Sequence, residues 1–212
     1  TQDPGLRTGF WRSVGHSSNA FFKESFIDEL AQSVGIDELQ FRLANMKNNP
    51  RLTEATELVA AKAGWGKALP KGHFHGLATH SSFGSAVAQI AEVSIQGSKI
   101  IVHKVTAAIH CGMVVNPGIV RDQVEGGIIY GLTAALYGEI TLLDGVIQQT
   151  NFHNYPMLRM ADAPEVEVHI VESQEHPEGV GEPGLPPLAP AVANAVFKAS
   201  GQRLRDLPLR LS

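Results

Sequence analysis

Glu182, near the end of the chain, is the residue of this sequence best placed for acid–base chemistry. It is the only charged residue of the segment 179–190, which contains three glycines and four prolines in twelve residues. That composition excludes the interior of a helix or a central strand and predicts a stiff loop. A dry, charge-poor loop disfavours the charged form of a carboxylate and makes it a better base. A structural turn with a surface glutamate is the alternative.

The elements around this loop must hold it in place. The run after Pro190 is rich in alanine and valine and stops at Gly201, which predicts a short helix with a glycine C-cap. A second helix is predicted at residues 119–137, after Pro117, with Gln123 in its early turns. It contains Gly126, Gly127 and Gly131, each of which costs about 1 kcal/mol relative to alanine. We expect such a helix to approach a neighbouring element or a ligand closely.

Residues 1–70 are expected to form an N-terminal loop and helical segment that serves as a scaffold. Asn19 should cap its first helix, Asp37 with Gln40 forms a capping box for the second, and Thr53 should start the third. The apolar residues of the first helix share one face, the pattern of a helix that packs on a core. They are Phe22, Phe26, Ile27, Leu30 and Ala31.

Residues 71–212 are expected to form an α+β segment. Strands are predicted at 73–81, 86–95 and 99–109, and the glycine-containing turn at 96–98 predicts that the last two pair as a hairpin. A second hairpin is predicted around Asp144-Gly145, and residues 166–171 alternate as an amphipathic strand. Hairpins mixed with separate helices indicate an α+β fold rather than a regular βαβ succession.

Composition argues against several classes of protein. The net charge of −4 and the absence of a basic cluster give no indication of nucleic-acid binding. No apolar run approaches the roughly 20 residues that cross a bilayer. The one cysteine, Cys111, cannot form an internal disulfide or hold an iron–sulfur cluster alone, and the nine histidines lack the spacing of a metal site. Charged residues make up 18%, below the typical value of about 25%, which indicates surface buried against other polypeptide.

Three separated stretches together resemble one family. They read Gly-Phe-Trp-Arg-Ser-Val-Gly-His at 9–16, Cys-Gly at 111–112 with Asn-Pro at 116–117 and Gln-Val-Glu-Gly at 123–126, and Gly-Val-Gly-Glu-Pro-Gly at 179–184. In this order they resemble the molybdenum-binding large subunit of the xanthine dehydrogenase/aldehyde oxidase family of molybdenum hydroxylases. The branch that they resemble most is the isoquinoline 1-oxidoreductase beta subunit, together with related aldehyde dehydrogenases.

The resemblance implies roles for five residues. Glu182 occupies the place of the family's glutamate beside molybdenum, the general base toward a Mo–OH group when an aldehyde or N-heteroaromatic carbon is oxidised with water-derived oxygen. Trp11 and Arg12 match an aromatic–arginine step that lies against the ligands of the metal. Gln123 matches a glutamine that hydrogen-bonds the pterin, and Gly181 would allow the cofactor to approach the backbone. None of the five is expected to be a metal ligand.

Two departures from the family leave alternatives open. Trp-Arg-Ser-Val-Gly stands where Phe-Arg-Gly-Phe-Gly is more usual, so Arg12 could instead be a loop arginine paired with a carboxylate, and Gln123 an ordinary helix glutamine. The family's Gly-Gln-Gly cofactor loop is absent from this chain. We therefore expect only part of the pocket here, in a C-terminal part of a larger subunit that is inactive in isolation. The start at Thr1, without an initiator methionine, likewise indicates a piece or a processed product.

The resemblance also implies partners. They are the remaining part of the large subunit, a small 2Fe–2S subunit that carries the Fe–S clusters, a cytochrome c as candidate electron acceptor, and a small-molecule substrate. The cofactor is expected to be molybdopterin cytosine dinucleotide with molybdenum, and a periplasmic location is favoured over a cytoplasmic one. The alternative function is a non-catalytic scaffold domain that has lost the cofactor. Nucleotide binding through Gly181 and Gly184 is a poor third, since no strand feeds the loop and no Lys-Ser/Thr follows.

Overall fold

The computed structural model describes residues 8–211, so the chain start at Thr1 lies outside it. Five α-helices lie in that range: α1 (His16–Ser33), α2 (Glu38–Asn45), α3 (Pro50–Ala63), α4 (Pro117–Leu136) and α5 (Leu188–Ser200). Six strands accompany them there: β1 (Phe74–Ser82), β2 (Ser85–Gln96), β3 (Lys99–His110), β4 (Leu142–Leu143), β5 (Val146–Ile147) and β6 (Glu165–Ile170). None of the helices in the described range is long and apolar enough to cross a membrane.

A four-stranded mixed sheet, in the order β1-β2-β3-β6, is the centre of the fold. β1, β2 and β3 are antiparallel neighbours, and β6 joins β3 in parallel. The predicted hairpin of the second and third strands is confirmed, with Gly97 at φ +63° in its turn. The second predicted hairpin is β4–β5, where Asp144 and Gly145 both have positive φ, as a type I′ turn requires.

Helices cover both faces of this sheet. On one face Val87, Ala91, Val105 and Ala107 pack with residues of α4 and α5. On the other face Leu77, Ala88, Ile90 and Ala108 pack with residues of α2 and α3. Because both faces are covered, residues 85–91 of β2 and 105–110 of β3 are buried without a break instead of alternating with exposed residues.

Helix α5 lies directly on the sheet because β1 has no side chain at Gly76. A Cβ atom there would lie 2.1 Å from the carbonyl oxygen of Ala191 and 2.3 Å from the backbone nitrogen of Ala195. α5 ends at Gly201, which has φ +74°, as predicted for a glycine C-cap. The helix that follows the Glu182 loop is therefore fixed against the first strand.

Two of the three predicted N-terminal helix starts are wrong. α1 begins at His16, so Asn19 lies inside the helix and does not cap it. α3 begins at Pro50, and the side chain of Asn49 rather than Thr53 caps it. Proline is favoured at the first helical position, because its missing N–H would have had no partner there. The Asp37 cap of α2 is confirmed by hydrogen bonds from the N–H groups of residues 39 and 40.

The predicted apolar face of α1 points largely to solvent. Phe22 and Phe26 are 64% and 57% exposed, whereas Glu24 and Asp28 on the other side are buried. The buried side of α1 therefore combines these two carboxylates with Ala20, Phe21 and Ala31. Ala31 is the one member of the predicted face that is fully buried.

Arginines from distant segments compensate the buried carboxylates of α1. Arg42 Nε donates to Glu24 Oε2 at 2.8 Å, and Arg203 Nη2 donates to Asp28 Oδ2 at 2.7 Å. Burial nevertheless raises the pKa of Asp28 above its ordinary value, although the two arginines lower it. A buried carboxylate without such partners would cost several kcal/mol, so these pairs determine which side of α1 faces inward.

Candidate active site

The Glu182 loop lies between α4 and β2. A Cβ at Gly184 would lie 2.9 Å from Val124 Cα, and one at Gly127 would lie 3.4 Å from the carbonyl carbon of Gly184. The prediction that glycines let α4 approach a neighbour closely is confirmed for Gly131, where a Cβ would lie 2.9 Å from Leu188 Cδ2 at the start of α5, whereas a Cβ at Gly127 would make an ordinary contact with the loop. Gly126, by contrast, faces open space.

The N-terminal loop contacts the Glu182 carboxylate. The backbone N–H of Ser13 donates to Glu182 Oε1 at 2.7 Å. Ser13 and Val14 have φ of 74° and 52°, a left-handed conformation that is rare for residues with a side chain. The turn orients the Ser13 N–H toward the loop, and Glu182 itself is half-buried rather than fully dry.

Arg12 connects all three stretches that carry the family resemblance. Its Nε donates to the carbonyl oxygen of Gly181 at 2.8 Å, and its Nη2 donates to the same oxygen. Nη2 also donates to Gln123 Oε1 at 3.2 Å. Within residues 8–211 the hydrogen-bond partners of Arg12 are thus carbonyl and amide oxygens rather than a carboxylate. The guanidinium thus connects the Glu182 loop to α4 through hydrogen bonds.

Trp11, in the loop before α1, lies beside this cluster and contacts α4 through Tyr130. Its ring stacks on Tyr130 with centroids 5.1 Å apart and planes 29° apart, and 38% of Trp11 is exposed. Tyr130 follows Gln123 by seven residues, two helical turns on α4. The structure therefore places Trp11, Arg12, Gln123, Gly181 and Glu182 in one connected group, although they come from three distant parts of the sequence.

Sequence reasoning missed two residues of β2 that hold the loop. Ser85 Oγ donates to the carbonyl oxygen of Gly179 at 2.7 Å, and Gln89 Nε2 donates to that of Gly184 at 2.6 Å. Both side chains are buried. Gln89 is the one polar residue of the run 86–91, and this was the signal in the sequence that could have pointed to such a contact.

A histidine pair lies under the N-terminal loop. His16 Nδ1 and His80 Nε2 are 2.9 Å apart, so one nitrogen donates and the other accepts. Phe83 meets the His16 ring at 5.0 Å in an edge arrangement. Burial, followed by the neighbouring Lys23 and His16, lowers the pKa of His80 to about 4. His80 is thus neutral at physiological pH.

The polar groups left open at this site fit the edge of a molybdopterin cofactor. Among the described residues Gln123 Nε2 and Glu182 Oε2 make no hydrogen bond, and a Cβ at Gly181 would meet only Gln123 Oε1, at 3.8 Å. An amide can donate to or accept from a pterin ring, and a carboxylate can accept a proton. Residues 8–211 contain no group of three or more His, Cys, Asp or Glu side chains that could hold a metal ion.

An apolar cleft of about 380 Å³ adjoins the loop. Trp11 and Tyr155 supply aromatic side chains, α4 contributes small residues, and the loop contributes Leu185 and Pro186. Its volume lies in the range of small-molecule pockets. A carboxylate on a fixed loop, a glycine that faces open space and an amide nitrogen without a hydrogen bond therefore lie close to one another in the part of the chain that the structure describes.

The chain belongs to the family of molybdopterin cofactor-binding domains, because the model of that family matches residues 20–164. The matched range includes Gln123 and ends before the loop that carries Glu182. The resemblance to the large subunits of molybdenum hydroxylases is thereby confirmed.

Two curated relatives cover nearly the whole chain. The beta subunit of isoquinoline 1-oxidoreductase from Brevundimonas diminuta is 37% identical over 206 residues, 95% of this chain and 26% of that protein. A membrane-bound aldehyde dehydrogenase from Gluconacetobacter polyoxogenes is 33% identical over 226 residues, 97% of this chain and 29% of that protein. Its name specifies pyrroloquinoline quinone, whereas the family matched here binds molybdopterin. The chain thus spans between a quarter and three tenths of the length of these relatives.

A solved structure confirms the fold class. The aldehyde oxidoreductase of Desulfovibrio desulfuricans superposes with a TM-score of 0.77, over 94% of this chain and 40% of that one. The two sequences are 14% identical over this match, so the likeness concerns the fold alone. It is an α+β arrangement of helices and a mixed sheet, as the sequence predicted.

Proposed function

We propose that this chain forms part of the cofactor site of a molybdenum-dependent hydroxylase, with Glu182 as its general base. The enzyme would oxidise an aldehyde or an N-heteroaromatic carbon with oxygen derived from water. The observation that carries the proposal is the 2.7 Å hydrogen bond from the Ser13 N–H to Glu182 Oε1, next to the Arg12 contacts with Gly181 and Gln123. It fixes a carboxylate at the junction of three segments.

Glu182 would accept the proton that water-derived oxygen loses as it is transferred to the substrate. Its Oε1 is occupied by the Ser13 N–H, which leaves Oε2 as the proton acceptor. Because the loop is stiff and its ends are bonded to β2, the carboxylate needs little ordering when a substrate arrives. Correct placement of a base of this kind contributes about a hundredfold to ten-thousandfold in rate.

The surrounding residues would hold the cofactor edge. Gln123 would hydrogen-bond the pterin, and Gly181 would leave the space in which a cofactor could reach the backbone. Arg12 would hold Gln123 and Gly181 at a fixed distance from each other through its hydrogen bonds to the Gly181 carbonyl and the Gln123 amide. Trp11, stacked on Tyr130, would close the rim beside the cleft. When bound, the molybdenum cofactor would supply the two-electron redox chemistry and a site at which water is activated.

Further components are proposed from the family resemblance. They are the cytosine dinucleotide form of the cofactor, the remaining part of the large subunit, a 2Fe–2S subunit and a cytochrome c in an exported enzyme. The names of the relatives support both substrate classes, since one acts on isoquinoline and the other on aldehydes. The cleft of about 380 Å³ beside Trp11 would accommodate a ring or a short aliphatic aldehyde. Since the site is open, we expect the isolated chain to be inactive.

Glu182→Gln in the complete enzyme tests the proposal. The amide keeps the shape and can still accept from Ser13 N–H, but it cannot take up a proton at neutral pH. We expect kcat for substrate-dependent dye reduction to fall at least about a hundredfold. Molybdenum content and the thermal midpoint should stay at wild-type values, which separates lost chemistry from lost cofactor.

Glu178→Gln is the matched control, because Glu178 is also half-buried and lies four residues before Glu182, just outside the segment 179–190. Its carboxylate lies 3.7 Å from His176, outside the group around Glu182. This variant should keep kcat within about threefold of wild type. If Glu182→Gln also stays within a few-fold of wild type with full molybdenum content, Glu182 is not the base.

A further inference from the structure

We infer that Gln89, on the central strand β2, is a positioning residue for Glu182, and that Gln89 and Ser85 together set the place of the catalytic loop. The inference rests on the proposed function, because it concerns how the carboxylate is held for that reaction. We call these two side chains the β2 clamp.

The β2 clamp binds the loop at one position before and one position after Glu182 in the sequence. Ser85 and Gln89 are four residues apart, so their side chains lie on the same face of the strand, about 13 Å from each other. Ser85 binds the carbonyl of Gly179 at 2.7 Å, and Gln89 binds the carbonyl of Gly184 at 2.6 Å. Glu182 lies between these two fixed points in the sequence.

Packing alone does not account for Gln89. The residue is 0% exposed, and its neighbours on the same strand face, Val87 and Ala91, belong to the apolar core. Its Oε1 is buried without a partner among the described residues, which costs roughly 1–3 kcal/mol. A methionine of similar shape would fill the space without that penalty. The hydrogen bond to the loop is what the amide adds.

The Gly184 end of the loop is held from the other side as well. A Cβ at Gly184 would lie 2.9 Å from Val124 Cα and 3.1 Å from the Val124 carbonyl oxygen, so the backbone there is pressed against α4. The N–H of Leu185 donates to the Glu182 carbonyl oxygen at 3.1 Å and closes a turn over residues 182–185. Any shift of Gly184 is therefore transmitted to the backbone of Glu182.

Gln89→Met in the complete enzyme is the primary test. It keeps the length and volume of the side chain and removes the hydrogen bond to Gly184. We expect kcat to fall about tenfold to a hundredfold, since a small displacement of a catalytic group costs that much. KM should stay within about twofold, because the substituted side chain does not touch substrate. Amide exchange in a peptide covering residues 178–188 should become at least about fivefold faster.

Thr56→Val is the matched control. Thr56 is also 0% exposed and donates one side-chain hydrogen bond to the backbone, to Leu52 at 2.6 Å, but it lies on α3 across the sheet. We expect a comparable loss of thermal stability with kcat and the exchange of residues 178–188 unchanged. If Gln89→Met does not fold, Ser85→Ala, which releases the Gly179 end, decides by the same two measurements.

The outcomes separate the positioning role of Gln89 from the general-base role of Glu182. Slower turnover together with faster exchange in 178–188, absent from Thr56→Val, supports the β2 clamp. Wild-type kcat or unchanged exchange in Gln89→Met overturns it, as does an equal loss of kcat in Thr56→Val. Full turnover by Glu182→Gln would refute the general base instead, and the exchange measurement would still report whether Gln89 holds the loop.

Discussion

Individual residues in this site act mainly by holding the Glu182 loop in position. Arg12 and Ser13 meet the Glu182 loop through a carbonyl oxygen and a carboxylate, and Ser85 and Gln89 meet it through carbonyl oxygens. The sequence predicted Glu182 and Arg12 because their motifs are local. The polar Gln89 within an apolar run is visible in the sequence, but what Gln89 and Ser85 bind could not be predicted, because the bonded carbonyl groups lie 95 and 94 residues away.

The buried histidine pair makes a prediction about pH. The folded state holds the pKa of His80 at about 4, below the ordinary 6.5, because burial disfavours the charged ring. A depressed pKa contributes stability above about pH 6.5, and that contribution is lost as the pH falls toward 4. We expect wild type to lose about 1–2 kcal/mol from this residue between pH 7 and pH 5.

His80→Gln removes that titration and keeps a polar side chain. Between pH 7 and pH 5 its thermal midpoint should fall by about 2–6 °C less than that of wild type. His176→Gln is the control, since the side chain of His176 is 84% exposed and the substitution should leave the pH dependence unchanged. An identical pH dependence in His80→Gln and wild type would show that His80 is not held neutral by the fold.

Whole elements explain what the sequence predicted well and what it did not. The strand limits and the α5 cap were predicted closely, since turn glycines such as Gly97 and Gly201 mark them locally. The buried side of α1 was predicted wrongly. Which side of α1 is buried depends on Arg42 and Arg203, which lie outside the helix. Their ion pairs with Glu24 and Asp28 offset the cost of burying these carboxylates. Tertiary ion pairs thus override the amphipathic pattern of a single helix.

The packing of α4 on the loop predicts opposite effects for two glycines. Gly184→Ala would place a methyl group 2.9 Å from Val124 Cα, a backbone atom that cannot move aside cheaply, so we expect a loss of about 2–3 kcal/mol. Gly126→Ala meets nothing within 4 Å and should gain about 0.5–1 kcal/mol in the helix interior. Thermal unfolding of both variants measures the difference, and equal midpoints would mean that the loop does not press on α4.

On the scale of the whole molecule, apolar surface is spread over elements that no residue between 8 and 211 covers. Phe22 and Phe26 on α1 are 64% and 57% exposed, and the β4–β5 hairpin exposes Leu143 and Val146 at 62% and 63%. Several exposed large side chains on one helix face favour association or aggregation. The chain spans 26% of the length of the isoquinoline 1-oxidoreductase subunit. Covering this surface is a proposed role of the remaining large subunit.

Phe22→Glu with Phe26→Glu tests the effect of the α1 surface on the 212-residue chain. Because both side chains are mostly exposed, the fold should tolerate the change, while binding of a hydrophobic dye should fall by about half and aggregation should slow. Lys47→Glu is the charge-matched control: replacing one exposed lysine lowers the net charge by two, as the two added carboxylates do. If Lys47→Glu slows aggregation equally, net charge is responsible rather than the apolar face. A slower rate in the α1 variant alone would identify this helix as surface that needs a covering polypeptide.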